Sequence, residues 1–424
     1  MRRTGYNDSL TVTTTAESIP PSVSTIAAPV EGVRERLTSL DVFRGITIAG
    51  MLLVNDPGSW GAIYPPLEHA PWHGWTPTDL IFPFFLFIVG ITTHLSLTAR
   101  RARGADEREL LRQILRRGTI ILLIGLFLNA FPFFAWWKLD GIANPTFMQR
   151  VVWRFAHMRF PGVLPRIGVA YMIGALLTFR TSVRQQLAIL GGILVGYWAV
   201  MTLVPVPGTG VIGAQLLDRP ELVLSAWLDR IVFGPHLWAQ TKTWDPEGLL
   251  STVPAVGTVI LGVLAGRWIG SGRPLQERLN GLFAVGSLTM VAGLAWNWVF
   301  PINKNLWTSS YVLFTAGMGA VTLATCIWII DVKKMRGWSK PFVVFGINPI
   351  LAFAGSAFMA RMIYSLIKVT YQGRTVPIEA AIYHGAFASW LPPRPASLAF
   401  AICFVLLWLA ILWPLHERNI IIKI

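Results

Sequence analysis

Charge is what this chain has least of. Only 13% of its 424 residues are Asp, Glu, Lys or Arg, while 54% are hydrophobic. A water-soluble domain of this length carries roughly twice that charged share, so a soluble globular protein is excluded. Cysteine is scarce as well. Cys326 and Cys403 both fall in apolar runs without metal-ligand spacing and read as small buried hydrophobes, which rules out a disulfide framework and leaves the redox compartment undetermined. Strand-length alternation does not dominate anywhere, which argues against a membrane β-barrel. No internal repeat is visible, which weakens the inverted-repeat transporter architectures. Residues 1–36 contain no apolar core of the kind a cleaved signal peptide needs, so none is expected.

What is present is a series of long apolar runs. They predict an all-α polytopic membrane protein, a bundle of about 10 transmembrane helices. The approximate spans are 40–56, 79–98, 113–135, 161–180, 185–204, 249–270, 280–300, 308–331, 341–366 and 395–414. An eleventh, short or re-entrant segment would fall within 367–394, and the Trp- and Arg-rich stretch 136–160 reads as interfacial. Residues 1–36, rich in Ser, Thr, Pro and Ala, are expected to form a disordered polar tail ahead of a transmembrane domain over 37–424.

The net charge of +15 would suit a nucleic-acid binder, but its distribution does not. The basic residues cluster in every second short loop. Arg100, Arg101, Arg103, Arg108, Arg112, Arg116 and Arg117 come first, followed by Arg180 and Arg184, then Arg267, Arg273 and Arg278, then Lys333, Lys334, Arg336 and Lys340. The positive-inside rule then puts these loops and both termini in the cytoplasm, and the loops at 57–78 and 205–248 outside. No nucleic-acid partner is expected. The segment 136–160 is the exception, since Lys138, Arg150, Arg154 and Arg159 fall on the outer side. Either an anionic ligand binds there or the topology differs at that point.

Four polar motifs share the outer side. The first joins Asn55-Asp56-Pro57-Gly58, at the end of the first helix, to His69, Trp72, His73, Trp75 and Asp79. Histidine is the natural proton carrier near neutrality, and Asn supplies donors and acceptors. Asp79 also suits plain capping of a helix start together with Thr76 or Thr78. Trp72 and Trp75 serve equally as membrane-interface aromatics. A metal between His69 and His73 is not expected, because Pro71 and Gly74 disfavour the helix that would align them and no third ligand is evident. The second motif is Asp245-Pro246-Glu247-Gly248, whose acids could orient a histidine, bind an amine or simply face a helix dipole. The third is Asn303-Lys304-Asn305-Leu306-Trp307, with donors for hydroxyl or phosphate groups. The fourth places Arg166 near the start of a span, where an arginine is a functional candidate by default.

These residues carry a resemblance. Ser39-Leu40-Asp41-Val42-Phe43-Arg44-Gly45, Val54-Asn55, His69-Ala70-Pro71-Trp72-His73-Gly74 and Asp79-Leu80-Ile81-Phe82-Pro83 open an ordered set. It continues through Pro161-Gly162-Val163-Leu164-Pro165-Arg166-Ile167-Gly168-Val169, the second and third motifs above, and Ile422-Lys423-Ile424. Taken in order, the set resembles the catalytic domain of the heparan-alpha-glucosaminide N-acetyltransferase family over roughly residues 37 to 424. The resemblance implies a membrane acetyltransferase with acetyl-CoA as donor and a glucosamine amine as acceptor. It further implies His69 as the active-site histidine and Asn55 as its partner. This chain departs from the family in three ways: His73 stands where asparagine is expected, the Asn55-to-His69 spacing is slightly longer, and a polar tail stands in place of the large luminal N-terminal region of the animal enzymes. A small or cell-envelope amino sugar is therefore expected in place of heparan.

The resulting candidates are His69, Asn55 and Asp79 for catalysis, and Trp72, His73, Arg166, Asp245, Glu247, Asn303, Lys304, Asn305 and Trp307 for binding, with no metal. His69 acts either as general base or as the residue that accepts the acetyl group. Coenzyme phosphates have outer candidates in Arg150, Arg154, Arg159, Arg166 and Lys304. The arginine-rich loop 99–117 is the candidate if the coenzyme docks from the cytosol. The expected setting is a bacterial inner membrane, with lipid around the bundle and room for a homodimer. An amino-sugar transporter and a non-catalytic scaffold are the competing classes.

Overall fold

The computed structural model describes residues 37–139 and 141–422; the tail 1–36 and the last two residues of the closing motif lie outside them. Fourteen α-helices follow in order among the described residues. They are α1 Thr38–Asn55, α2 Pro77–Arg101, α3 Glu107–Ala130, α4 Phe147–His157, α5 Val163–Thr178, α6 Val183–Leu203 and α7 Leu224–Phe233. The second half holds α8 Leu249–Ile269, α9 Leu275–Trp296, α10 Ser309–Cys326, α11 Lys340–Ile347, α12 Pro349–Arg361, α13 Ile378–Ile382 and α14 Pro393–Glu417.

Helices occupy all ten predicted segments. Seven of the described helices are long and apolar enough to cross a membrane: α2, α6, α8, α9, α10 and α12 with the π turns that extend them, and α14. The other three fall short for visible reasons. Among them α1 carries Asp41 and Arg44, α3 opens on charged turns, and α5 has only 16 residues. The segment 341–366 is two helices where one was expected. Pro349 donates no amide hydrogen and disfavours helical geometry at Asn348. The Asn348 side chain then bonds the C-terminal stretch, to Ile420 O at 3.0 Å and from Ile422 N at 2.8 Å. Residues 367–394 hold a two-stranded antiparallel hairpin, Lys368–Tyr371 with Arg374–Pro377, followed by short α13. Of the cysteines, Cys326 is buried as expected, whereas Cys403 faces outward from α14.

Small residues set the packing. Gly90 of α2 and Gly262 of α8 face each other. A Cβ on either would overlap backbone, at Val259 O and Phe87 O respectively. Lipid tails offer helices no hydrophobic reason to associate, so such close approach supplies the van der Waals contact that does. On the outer surface, α6, α9 and α14 present Leu187, Val195, Leu288, Val291 and Leu406 outward, a cost in water but not in lipid.

Alternate loops gather at one end of the bundle. Gly74 N bonds Ile302 O at 2.8 Å, Trp72 Nε1 bonds Leu217 O at 2.7 Å, and Phe160 N bonds His236 O at 3.0 Å. Gly58 N bonds Ser397 O, and the Tyr364 hydroxyl bonds Pro57 O. The basic loops meet at the other end, where Arg101 and Arg267 bond Phe179 O and Thr181 O, each at 2.8 Å, and Arg180 pairs with Glu107. This is the division that loop charge predicts.

Helix α4 is amphipathic, with Phe147, Met148, Val152 and Phe155 exposed, as an interfacial helix requires. Its arginines explain the anomalous charge of 136–160. Arg150 bonds Ala135 O and Trp137 O, and Arg154 bonds Asn129 O, Ala130 O and Phe131 O. Arg154 staples backbone carbonyls left open at the end of α3, and Arg150 those of the loop that follows.

Gly262→Val should overpack the α2–α8 seam and cost about 1–3 kcal/mol, read as a lower melting temperature in detergent. Gly192→Ala on α6, where an added Cβ meets nothing within 4 Å, should leave it unchanged.

Candidate active site

Thr76 and Pro77 open α2, and Asp79 takes its third position, completing a capping box. The Asp79 side chain divides its work. Oδ2 accepts from Thr76 N at 3.0 Å and Ala70 N at 2.9 Å, while Oδ1 lies 2.7 Å from His69 Nδ1. Capping and orientation of the histidine are thus both real roles of one carboxylate. Asp79 is 1% exposed at its side chain and His69 50%, so a buried group aims a reachable ring. A carboxylate only accepts, so in the neutral imidazole Nδ1 carries the proton and Nε2 keeps its lone pair.

Lys304 joins this pair. Its Nζ lies 2.9 Å and 3.2 Å from the two ring nitrogens of His69 and 3.4 Å from Asp79 Oδ1. Burial pushes the Lys304 ammonium below its ordinary range, and the charges of Asp79 and Glu247 pull it back only in part. Neighbouring Asn303 is fully buried. It bonds Leu306 N through Oδ1 and lies 3.2 Å from His73 Nδ1 through Nδ2. His73 Nε2 stands 2.9 Å from the exposed Asp218 carboxylate.

The second motif forms an ion cluster. Arg159 Nε bonds Asp245 Oδ2 at 2.8 Å, and its Nη2 bonds both Asp245 and Glu247. Asp245 also accepts from Trp238 N at 3.1 Å and Glu247 N at 2.9 Å. Burial lifts the Asp245 carboxyl above its usual range despite Arg159. Burial would lift Glu247 too, but the charges of Arg159, Arg166 and Lys304 outweigh it and hold its carboxyl low. Lys304 therefore lies within the field of both clusters. Arg166 is 2% exposed and bonds Ser251; its Nε and Nη1 have no partner among the described residues. Asp229, which burial raises to about 6, accepts from Leu249 N and fixes the start of α8.

Two further expectations change. Asn55 makes no hydrogen bond to His69 among the described residues; Asp79 holds the ring in its place. Asn55 instead lines an open cavity of about 390 Å³ at this end, with Asp56, Asn129, Arg159, Ser356 and Arg361. Trp307 is fully buried, with its indole on Thr258 Oγ1 and its ring 5.1 Å from the Arg166 guanidinium, and so belongs to the core. Trp72 spends its indole hydrogen on Leu217 O and packs edge-on against Trp244. Asn305 is half-buried and has no hydrogen bond among the described residues to His69 or Asp79. Sequence reading passed over Arg361, although an arginine inside an apolar span is itself a signal. Ser251 and Asp229 carry no such signal.

A second, narrow cavity of about 40 Å³ lies toward the basic end, with Arg44, Thr92, Arg117 and Tyr171 in its walls. Leu164 and Phe353 line both cavities.

Arg159→Met should leave two buried carboxylates without their cation and cost about 3–5 kcal/mol near neutral pH. Glu247, held low in the folded state, contributes stability above its ordinary value that is lost as pH falls through the lowered one. The melting-temperature gap between wild type and Arg159→Met should therefore narrow on acidification.

The sequence model of the family described as heparan-alpha-glucosaminide N-acetyltransferase, catalytic, matches residues 36–281, which include His69, Asn55, Asp79, Arg166, Asp245 and Glu247. The human protein named heparan-alpha-glucosaminide N-acetyltransferase is 31% identical over 370 residues, covering 76% of this chain and 52% of its own length. The mouse protein of the same name is 30% identical over 370 residues, 76% of this chain and 53% of its own. The chain spans about half the length of these curated relatives. With more than half of it inside the family match, the chain belongs to the heparan-alpha-glucosaminide N-acetyltransferase family.

Proposed function

We propose that the chain is an integral-membrane acyltransferase that moves acetyl from acetyl-CoA to the amine of a glucosamine-type sugar. The observation that carries this reading is the reachable His69 ring held by buried Asp79. A base aimed by a third group is the arrangement that nucleophile activation calls for. His69 Nε2 takes one proton from the substrate ammonium. The freed nitrogen attacks the thioester carbonyl, the C–N bond forms and the C–S bond breaks. The second amine proton leaves with the coenzyme as its thiol. Lys304 Nζ now stands 3.2 Å from that same Nε2, where an amine substrate would stand.

Family membership supports the chemistry, since both curated relatives are named as N-acetyltransferases of a glucosaminide. The cavities support a route for the donor. With the basic loops in the cytoplasm and His69 outside, a cytosolic coenzyme meets Arg117 and Arg44 first. Its acetyl end then reaches the outer cavity past Leu164 and Phe353, beside Asn55. Arg117 closes the arginine-rich loop region expected to receive the coenzyme from this side. In this reading Asn55 faces the acyl group and stabilises the developing oxyanion. The setting is a bacterial inner membrane.

His69→Ala should lower thiol release from acetyl-CoA with glucosamine by about 10²–10⁴-fold in purified protein. Asp79→Asn should lower it as well, by misorienting the ring. Activity equal to wild type in His69→Ala would remove His69 from the mechanism. The two cavities, which share Leu164 and Phe353 in their walls, also favour a second reading, an amino-sugar carrier. Glucosamine uptake by proteoliposomes that release no thiol from acetyl-CoA would establish that reading in place of the first.

A further inference from the structure

Most polar groups in the wall of the outer cavity are already spent. Arg159 is held by Asp245 and Glu247. Asn129 Nδ2 bonds Arg159 O and Pro161 O, and the Ser356 hydroxyl bonds Phe353 O. Two opposite charges are not spent. Asp56 is 5% exposed, and no donor hydrogen-bonds its carboxylate among the described residues. Arg361 uses one nitrogen on Ala357 O at 2.9 Å and makes no ion pair with any described residue. Each feels the other's charge across the cavity, at a separation too long for an ion pair.

A buried carboxylate without a partner is costly, so burial lifts the Asp56 carboxyl to about 7, and a half-buried guanidinium without an anion is costly too. Asp56 is worse placed than most, since it follows the last residue of α1, where the helix dipole is negative. Pro57 behind it has no amide hydrogen to offer. The two groups line one cavity without pairing, and a ligand that is cationic at one end and anionic at the other satisfies both.

We propose that the outer cavity is the acceptor site and that Asp56 and Arg361 select a dipolar amino sugar. Asp56 binds the ammonium of the arriving sugar before the amine passes to His69, and Arg361 binds an acid group, phosphate or carboxylate, carried elsewhere on the same sugar. The choice of a sugar rests on the acetyltransferase reading; the demand for paired opposite charges does not. Asn55, on the same wall and with no side-chain hydrogen bond among the described residues, meets a hydroxyl or the acyl oxygen.

The test is equilibrium binding to the full chain in detergent, without acetyl-CoA. The probes are glucosamine, glucosamine 6-phosphate, glucosamine bearing a 3-O-lactyl carboxylate, and the N-acetyl form of each. Wild type should bind both acidic amines more tightly than glucosamine, and each amine roughly 10-fold or more tighter than its N-acetyl form. The tighter of the two acidic amines identifies the acid group. Asp56→Asn should erase the preference for free amine, and Arg361→Gln the preference for the acid group. Wild type that ignores N-acetylation or binds none of the probes overturns the proposal, whatever the variants do. So does Asp56→Asn that keeps wild-type affinity for the amines. Thiol release separates the two readings. If the binding pattern holds but no thiol is released, the acetyltransferase reading falls and the site stands. If the pattern fails while an amino sugar drives thiol release, the site falls and the reading stands.

Discussion

One carboxylate ties the His69 end of this bundle together. Asp79 lies three residues into α2, and both of its oxygens are committed: one to the amides that start the helix and close the preceding loop, the other to His69. The charge is favourable at a helix N-terminus, so the fold tolerates its burial independently of any chemistry. That tolerance is what makes the histidine's orientation robust. The ring is aimed by a group whose own position is fixed by helix geometry and by the Tyr311 hydroxyl, which donates to the Asp79 carbonyl. The same reasoning extends to Lys304. Its loop is pinned by Asn303 and Thr308, so the ammonium is brought to His69 by a rigid turn.

The outer end is also where charge and membrane conflict. Loops beside lipid must satisfy their backbone groups without bulk water. The chain solves this with arginine. Arg150 and Arg154 bond five carbonyls between them, and Arg159 gathers two carboxylates from the far side of the chain. These guanidiniums look like an anion-binding patch when counted by position. By hydrogen bonding they are structural, which accounts for basic residues at this end of the bundle.

Much of this was legible in the sequence, and the rest was hidden for physical reasons. Hydropathy locates the helices because lipid imposes a length and an apolar composition. It cannot see the break at Asn348–Pro349, since one proline in an apolar run alters geometry without altering hydrophobicity. The capping role of Asp79 was legible, because Thr76 and Pro77 mark a helix start, but that it and not Asn55 holds the His69 ring was not. The pairing of Asn55 with His69 was not borne out by contact, although only thirteen residues separate them: α1 ends with Asn55 turned to the cavity between α1, α3, α5 and α12. Arg361 and Asp229 meet the site only through tertiary folding, which loop adjacency does not encode.

The two acids that flank the first outer loop make the sharpest contrast. Asp79 stands at a helix N-terminus with the Lys304 ammonium and four other donors around it, counting the Thr76 hydroxyl and His69. Asp56 stands at a helix C-terminus with none among the described residues. The first is a charge the fold stabilises; the second is a charge the fold endures. Groups that a fold endures, in a cavity wall, opposite a cation they do not touch, are the ones whose free energy a bound molecule can lower. The helix-start acid therefore organises the histidine, while the helix-end acid is left to the ligand. In this structure the division between holding the site and using it follows from which end of a helix dipole each carboxylate occupies.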